Sequence, residues 1–81
     1  MIDTIEEDGP VPKYVQLADI IERRIANGDM RPNKLIPSEK DLMGEFGVAR
    51  GTVRRAVEVL RDRDLVFTVP QRGTFVKPKA T

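Results

Sequence analysis

The chain has 81 residues, with 14 Lys and Arg against 13 Asp and Glu and neither cysteine nor histidine. That length holds one domain around one small core, and the missing residue types exclude disulfides, thiol chemistry and Cys/His metal sites and remove the commonest general base. No enzyme activity, cofactor or metal is expected of so short a chain, and with no apolar run near the ~18 residues of a membrane span and an acidic start unlike a signal peptide, a cytoplasmic location is expected.

The net charge of +1 conceals an asymmetry. Residues 1–12 carry Asp3, Glu6, Glu7 and Asp8 and no base, whereas residues 13–81 carry 14 bases and nine acids, a net +5. Residues 1–12 are expected to form a flexible acidic arm ending in Gly9-Pro10-Val11-Pro12, a run that resists helix and strand. The arm reads as a solvated tail, or as a competitor with a polyanion for the basic body.

The first helix is expected from Lys13 to about Asn27. Tyr14, Leu17, Ala18, Ile21 and Ile25 recur at three- and four-residue steps, Pro12 suits a start and Gly28 a left-handed stop. Arg31-Pro32-Asn33-Lys34 reads as a turn, and Leu35-Ile36 as a short extended piece, because Pro37 biases Ile36 away from helix. The second helix begins at Ser38, whose hydroxyl can cap the first turn, with Asp41 three residues on. Leu42, Met43 and Phe46 form its apolar stripe, and Gly47 ends it. The third helix follows from Ala49 or Arg50 to Asp62, with Val53, Ala56, Val57 and Leu60 facing inward and Arg50, Arg54 and Arg61 on another face. After Asp64 the period shortens to about two. Leu65–Val69 and Thr74–Val76 are expected strands around a Pro70-Gln71-Arg72-Gly73 turn, and residues 77–81 a short tail.

Helix, strand stub, helix, turn, helix and hairpin in that order predict a mainly α winged helix-turn-helix over residues 13–76, with three helices and a two- to three-stranded antiparallel sheet. Tyr14, Phe46, Phe67 and Phe75 fall on apolar stripes and are expected in the core. They do not alternate with bases as a single-strand stacking platform requires.

Several short stretches sharpen this reading. They are Tyr14-Val15-Gln16-Leu17-Ala18-Asp19-Ile20-Ile21, Ile25–Pro32, Leu35-Ile36-Pro37-Ser38-Glu39, Phe46-Gly47-Val48-Ala49-Arg50-Gly51-Thr52-Val53-Arg54-Arg55-Ala56, and Arg72-Gly73-Thr74-Phe75-Val76, with Leu60 and Leu65-Val66 between. In this order and spacing the chain resembles the N-terminal DNA-binding domain of the GntR family of bacterial transcription regulators. The resemblance implies a winged helix that binds double-stranded DNA, regulates transcription as a repressor, and pairs as a dimer on a two-fold symmetric operator. The effector-binding half of such regulators has no counterpart in these residues, so no small-molecule effector is implied. Three positions depart from the family pattern: Asn33 replaces a glycine, Ala49 replaces a Ser or Thr cap, and Pro70 removes a donor from the wing.

On that reading the start of the third helix enters the major groove. Arg50 and Arg54 would read guanine there, each pair of hydrogen bonds being worth roughly 1–3 kcal/mol of discrimination; otherwise they are solvated helix charges. Gly51 would allow close backbone approach. Thr52 would bond a phosphate or simply stabilise the first turn, and Arg55 would touch phosphate. Ser38 and Lys40 sit at the start of the second helix, whose positive end suits a phosphate. Glu39 reads as structural, a cap or an ion-pair member. On the wing, Gln71, Arg72, Gly73 and Thr74 would reach the adjacent minor groove or backbone, Gly73 also making the turn. The competing function is a protein-interaction or dimerisation module, which would show apolar anchors on the third helix where this chain has arginines.

Overall fold

Pro12 opens the first helix, α1 (Lys13–Ala26), in the computed structural model, which describes residues 3–78. Its φ of −57° is already helical, and its carbonyl accepts from the Val15 and Gln16 amides at 3.1 Å. Asn27 closes the helix, and Gly28 follows at φ +89°. Asn33 takes φ +62° in the next turn, the left-handed geometry that glycine or asparagine tolerates.

Ser38 caps α2 (Glu39–Phe46), its hydroxyl oxygen accepting from the Asp41 amide at 3.1 Å. Gly47 ends α2 at φ +65°, its N–H donating to the Met43 carbonyl. Val48, buried, is the elbow, and α3 (Arg50–Asp62) begins after Ala49. Ala49 has the extended backbone of an N-cap and no side-chain cap bond.

The hairpin pairs β1 (Val66–Val69) with β2 (Gly73–Val76), antiparallel, in the register Val66↔Val76 to Val69↔Gly73. The strands are offset by one residue from the expected spans: Leu65 lies outside β1 and Gly73 inside β2. Leu35 forms an isolated bridge with Phe75, and the Ile36 amide donates to the Thr74 carbonyl at 2.9 Å. The expected extended stub thus lies along β2, contributing single bonds rather than a third strand. At the hairpin tip Pro70 precedes Gln71 at φ +66°, and the Arg72 amide donates to the Val69 carbonyl, the arrangement of a type II turn.

The core lies where these elements meet. Leu17, Ala18 and Ile21 of α1 pack with Ile36, Leu42, Val48, the α3 residues Val53, Ala56 and Leu60, and the paired wing-root residues Val66 and Val76. The expectation that the aromatics sit in the core is corrected: none of the four is fully buried. Tyr14 and Phe46 cover the rim, with the Arg55 guanidinium 4.2 Å from the Tyr14 ring centroid and that of Arg24 5.3 Å from Phe46. Phe67 and Phe75 stack across the hairpin with centroids 5.6 Å apart. A core this thin accommodates Leu, Ile, Val and Ala, and large rings are left to seal its edges.

The N-terminal segment lies against α1. The Gln16 side-chain amide accepts from the Glu6 N–H and donates to the Glu6 and Val11 carbonyls at 2.8–2.9 Å. Asp3 pairs with Arg23 and Arg24, Glu7 pairs with Lys13, and Ile5 packs on the core. Ile20, which falls off the α1 stripe, is buried and shares a shallow cleft with Thr4 and Gly9–Val11 of this segment. Met1, Ile2 and the tail residues 79–81 lie outside the described residues. Among the described residues, no helix is long and apolar enough to cross a membrane.

Candidate nucleic-acid interface

Short turns bring three sets of residues to one side of the molecule: the start of α2, the outward stripe of α3, and the wing. Between them is a cleft of about 740 Å³. Its walls include Ser38, Glu39 and Asp41 from α2, Arg54, Val57 and Arg61 from α3, and Thr68, Arg72, Gly73 and Thr74 from the wing. Ile36, Leu42 and Val53 reach it from the core. Of the expected site residues, the cleft gathers Ser38, Arg54, Arg72, Gly73 and Thr74. Lys40, Arg50, Gly51, Thr52 and Gln71 do not line it. Lys40, Arg50, Gly51 and Gln71 are exposed, and Thr52 is half-buried. Arg55 turns to α1, where it covers Tyr14.

Glu39 organises the two helix starts electrostatically. Its carboxylate accepts from Arg54 Nε at 2.8 Å and from a second Arg54 nitrogen at 3.4 Å, and Arg50 Nε lies 3.5 Å away. The hydrogen bond from Arg54 holds the Glu39 carboxyl below its usual 4.5, with the charges of Arg54 and Arg50 adding to it. The same bond holds the Arg54 guanidinium above its ordinary value. Glu39 is therefore the ion-pair member expected from the sequence, and its partners are the two arginines singled out at the start of α3. Two guanidiniums on one carboxylate retain a net positive charge and leave most of their N–H donors free for an anionic or acceptor-rich partner.

Ser38 serves as the helix cap, and the reciprocal bond from its own amide to Asp41 is absent among the described residues. Lys40, Arg61 and Arg72 have no carboxylate within 4 Å among the described residues. At the wing, Gly73 has φ +122°, a backbone that side chains rarely adopt, and an added Cβ would stand 2.8 Å from Leu35 Cδ2 at the end of a flexible side chain, which would have to shift. Thr74 pairs its hydroxyl with Thr68 at 3.0 Å, and Arg61 donates to the Thr68 hydroxyl at 3.0 Å. Sequence reasoning did not place Arg61 or Thr68 in the site. The one signal present was the step of seven residues from Arg54 to Arg61, which puts both on one helical face.

Residues 13–76 match the model of the family described as "Bacterial regulatory proteins, gntR family". The chain is similar to the HTH-type transcriptional repressor NagR of Bacillus subtilis, with 38% identity over 93% of this chain and 31% of the relative. It is also similar to the mannosyl-D-glycerate transport/metabolism system repressor MngR of Escherichia coli, with 41% identity over 85% of this chain and 29% of the relative. It thus spans about three-tenths of the length of these curated relatives. Among solved structures, the AraR DNA-binding domain in complex with operator ORX1 superposes with a TM-score of 0.79 at 38% identity, covering 90% of this chain and 96% of that one. YtrA from Sulfolobus acidocaldarius, a GntR-family transcription factor, superposes with a TM-score of 0.86 at 32% identity, covering 99% of this chain and 84% of that one.

Proposed function

Since this chain belongs to the gntR family of bacterial regulatory proteins, we propose that it binds double-stranded DNA sequence-specifically and regulates transcription as a repressor. The observation that carries the reading is the arrangement at the start of α3. Arg50 and Arg54 stand side by side on Glu39, exposed, beside a wing that carries Arg72. Kinship supports the reading, through relatives named as repressors and a similar domain solved with its operator.

In this reading α3 enters the major groove, where Arg50 and Arg54 donate to guanine O6 and N7. Gly51 permits close approach and Thr52 contacts a phosphate, whereas Arg55, turned to α1 over Tyr14, is left out of this contact set. Ser38 and Lys40 meet a phosphate at the positive end of α2. Gln71, Arg72, Gly73 and Thr74 present the wing to the adjacent minor groove or backbone. One copy covers one half-site, and two copies pair on a two-fold symmetric operator. A protein-docking role for the α3 face lacks the apolar anchors such a face carries.

The test is selection from a random duplex library with the 81-residue chain at fixed, near-physiological salt. An enriched two-fold symmetric motif is the expected result. Weak, salt-sensitive binding with no enriched motif would overturn the proposal, since that is what phosphate attraction alone produces.

A further inference from the structure

The hairpin is anchored unevenly. Its root is fixed by the buried Val66–Val76 pair, and β2 is braced by the stub through the Ile36–Thr74 and Val76–Lys34 backbone bonds. The outer half of β1 pairs with β2 on one edge and, among the described residues, with no strand on the other, and a two-stranded ribbon alone is marginal in water. One side-chain hydrogen bond crosses from α3 to the strands among the described residues, from Arg61 Nη1 to Thr68 Oγ1 at 3.0 Å. Thr68 passes the link to its register partner Thr74, also at 3.0 Å. Thr68 lies two residues before the tip at Pro70, so the link sits where it controls how far the tip swings from α3.

Arg61 also belongs to the stripe that faces outward. At 3.6 residues per turn, Arg50, Arg54 and Arg61 project within about 40° of one another. Arg50 and Arg54 are held by Glu39. Arg61 has no carboxylate partner among the described residues and makes its side-chain bond to the wing. A basic residue in the last turn of a helix also suits the negative helix end, but that role needs no contact with Thr68.

We infer that Arg61 is a positioning residue for specificity: through Thr68 and Thr74 it sets the separation between α3 and the wing tip, and so the spacing between the base step read by α3 and the step met by the wing. The inference rests on the DNA-binding reading above for its consequence, though not for its structural half. If α3 and the wing contact neighbouring grooves of one duplex, both engage at full strength only when their separation matches the groove spacing. A loose wing still binds, but it discriminates less at its own step.

The variants are Arg61→Ala, Thr68→Val and the pair together. Thr68→Val is near-isosteric, keeps strand propensity and leaves the Arg61 charge in place. In the free protein, backbone ¹⁵N order parameters over residues 70–73 are expected to fall alike in all three variants, with core residues unchanged. Order parameters at wild-type values would overturn the inference. On duplexes carrying single base-pair changes in the selected motif, each variant is expected to lose about two- to tenfold in discrimination at the wing positions, the range of one net hydrogen bond. Discrimination at the α3 positions should stay at wild-type values, and the double variant should be no worse than either single one. A uniform loss on every duplex in Arg61→Ala alone, with a shallower salt dependence, would instead make Arg61 a phosphate contact and sink the positioning role. If the wild-type chain selects no motif, the DNA reading falls, while the order parameters still decide whether Arg61 holds the wing.

Discussion

Arg50, Arg54 and Lys40 carry similar charge to the same side of the molecule, yet their roles should separate cleanly. Arg50→Ala is expected to remove roughly 1–3 kcal/mol of discrimination between the selected duplex and one with a changed guanine. Lys40→Ala should weaken binding to every duplex alike and lower the slope of log K against log salt by about 1. Titration of both variants on specific and random duplexes at three salt concentrations checks the pair; equal losses on both duplexes for Arg50→Ala would remove its base-reading role. Glu39 gives a pH-dependent signature in the free protein. Its carboxyl is held below 4.5 in the folded chain by Arg54 and Arg50, so its contribution is fully present above the unfolded value and is lost as the pH falls through the lower folded one. The pair lies at the surface and is screened by solvent, so the contribution is small. Thermal melts should show wild type above Glu39→Gln by a constant margin at pH 5–6, with the gap closing as the pH drops below 4.5. A margin independent of pH would mean that the carboxylate charge is not what stabilises.

At the scale of the elements, the helix ends were the most legible part of the sequence. Pro12, Gly28, Ser38 and Gly47 each carry a local preference that needs no knowledge of the rest of the chain, and each stands at a helix boundary with the expected geometry. Asn33 was legible for the same reason, but the positive φ of Asp64 and Gln71 was not, since neither residue type demands it. The α2–turn–α3 unit and the hairpin followed from apolar periodicity. Depth did not, because a stripe says which residues turn inward and not how much room they find. Hence the aromatics were placed too deep. What joins the elements was least visible: Glu39 reaches arginines 11 and 15 residues away, Arg61 a threonine seven away, and Gln16 a backbone ten away. The cap missing from α3 was legible and leads to a prediction. Ala49 has the cap backbone without a cap side chain, so Ala49→Ser should stabilise the domain by about 1 kcal/mol, raising Tm by roughly 4–8 °C for a chain of this size. An unchanged melting temperature would show that the α3 N-terminus is satisfied in another way.

The whole molecule measures 38 × 27 × 21 Å. Half-sites one helical turn apart on DNA are separated by about 34–36 Å, so two copies on adjacent half-sites fit beside each other with the 27 or 21 Å axis along the duplex, but not with the 38 Å axis along it. In the absence of DNA there is little to hold them together. Among the described residues the large exposed hydrophobic side chains are Val11 and Leu35, far short of the ≈1,200 Å² that a stable interface buries. The 81-residue chain is therefore expected to sediment as a monomer at micromolar concentration and to pair only on a duplex carrying both half-sites. A dimer in the absence of DNA would mean that the pairing surface lies elsewhere than along the operator.

The clamp formed by Gln16 has a consequence for how the molecule travels. By holding residues 3–12 against α1, it keeps Asp3 and Glu7 beside Arg23, Arg24 and Lys13 and neutralises those cations where they stand. Among the described residues, Lys40, Arg61 and Arg72, of α2, α3 and the wing, have no such neighbours. The positive charge left without a carboxylate partner among the described residues thus includes these three side chains, on the elements proposed to meet DNA. A particle with unevenly spread charge in the field of a polyanion is turned as it diffuses, so that more of its collisions arrive face first. The acidic segment that opens the chain, remote from any base pair, would then act on the rate of encounter by blanking the wrong side of the molecule.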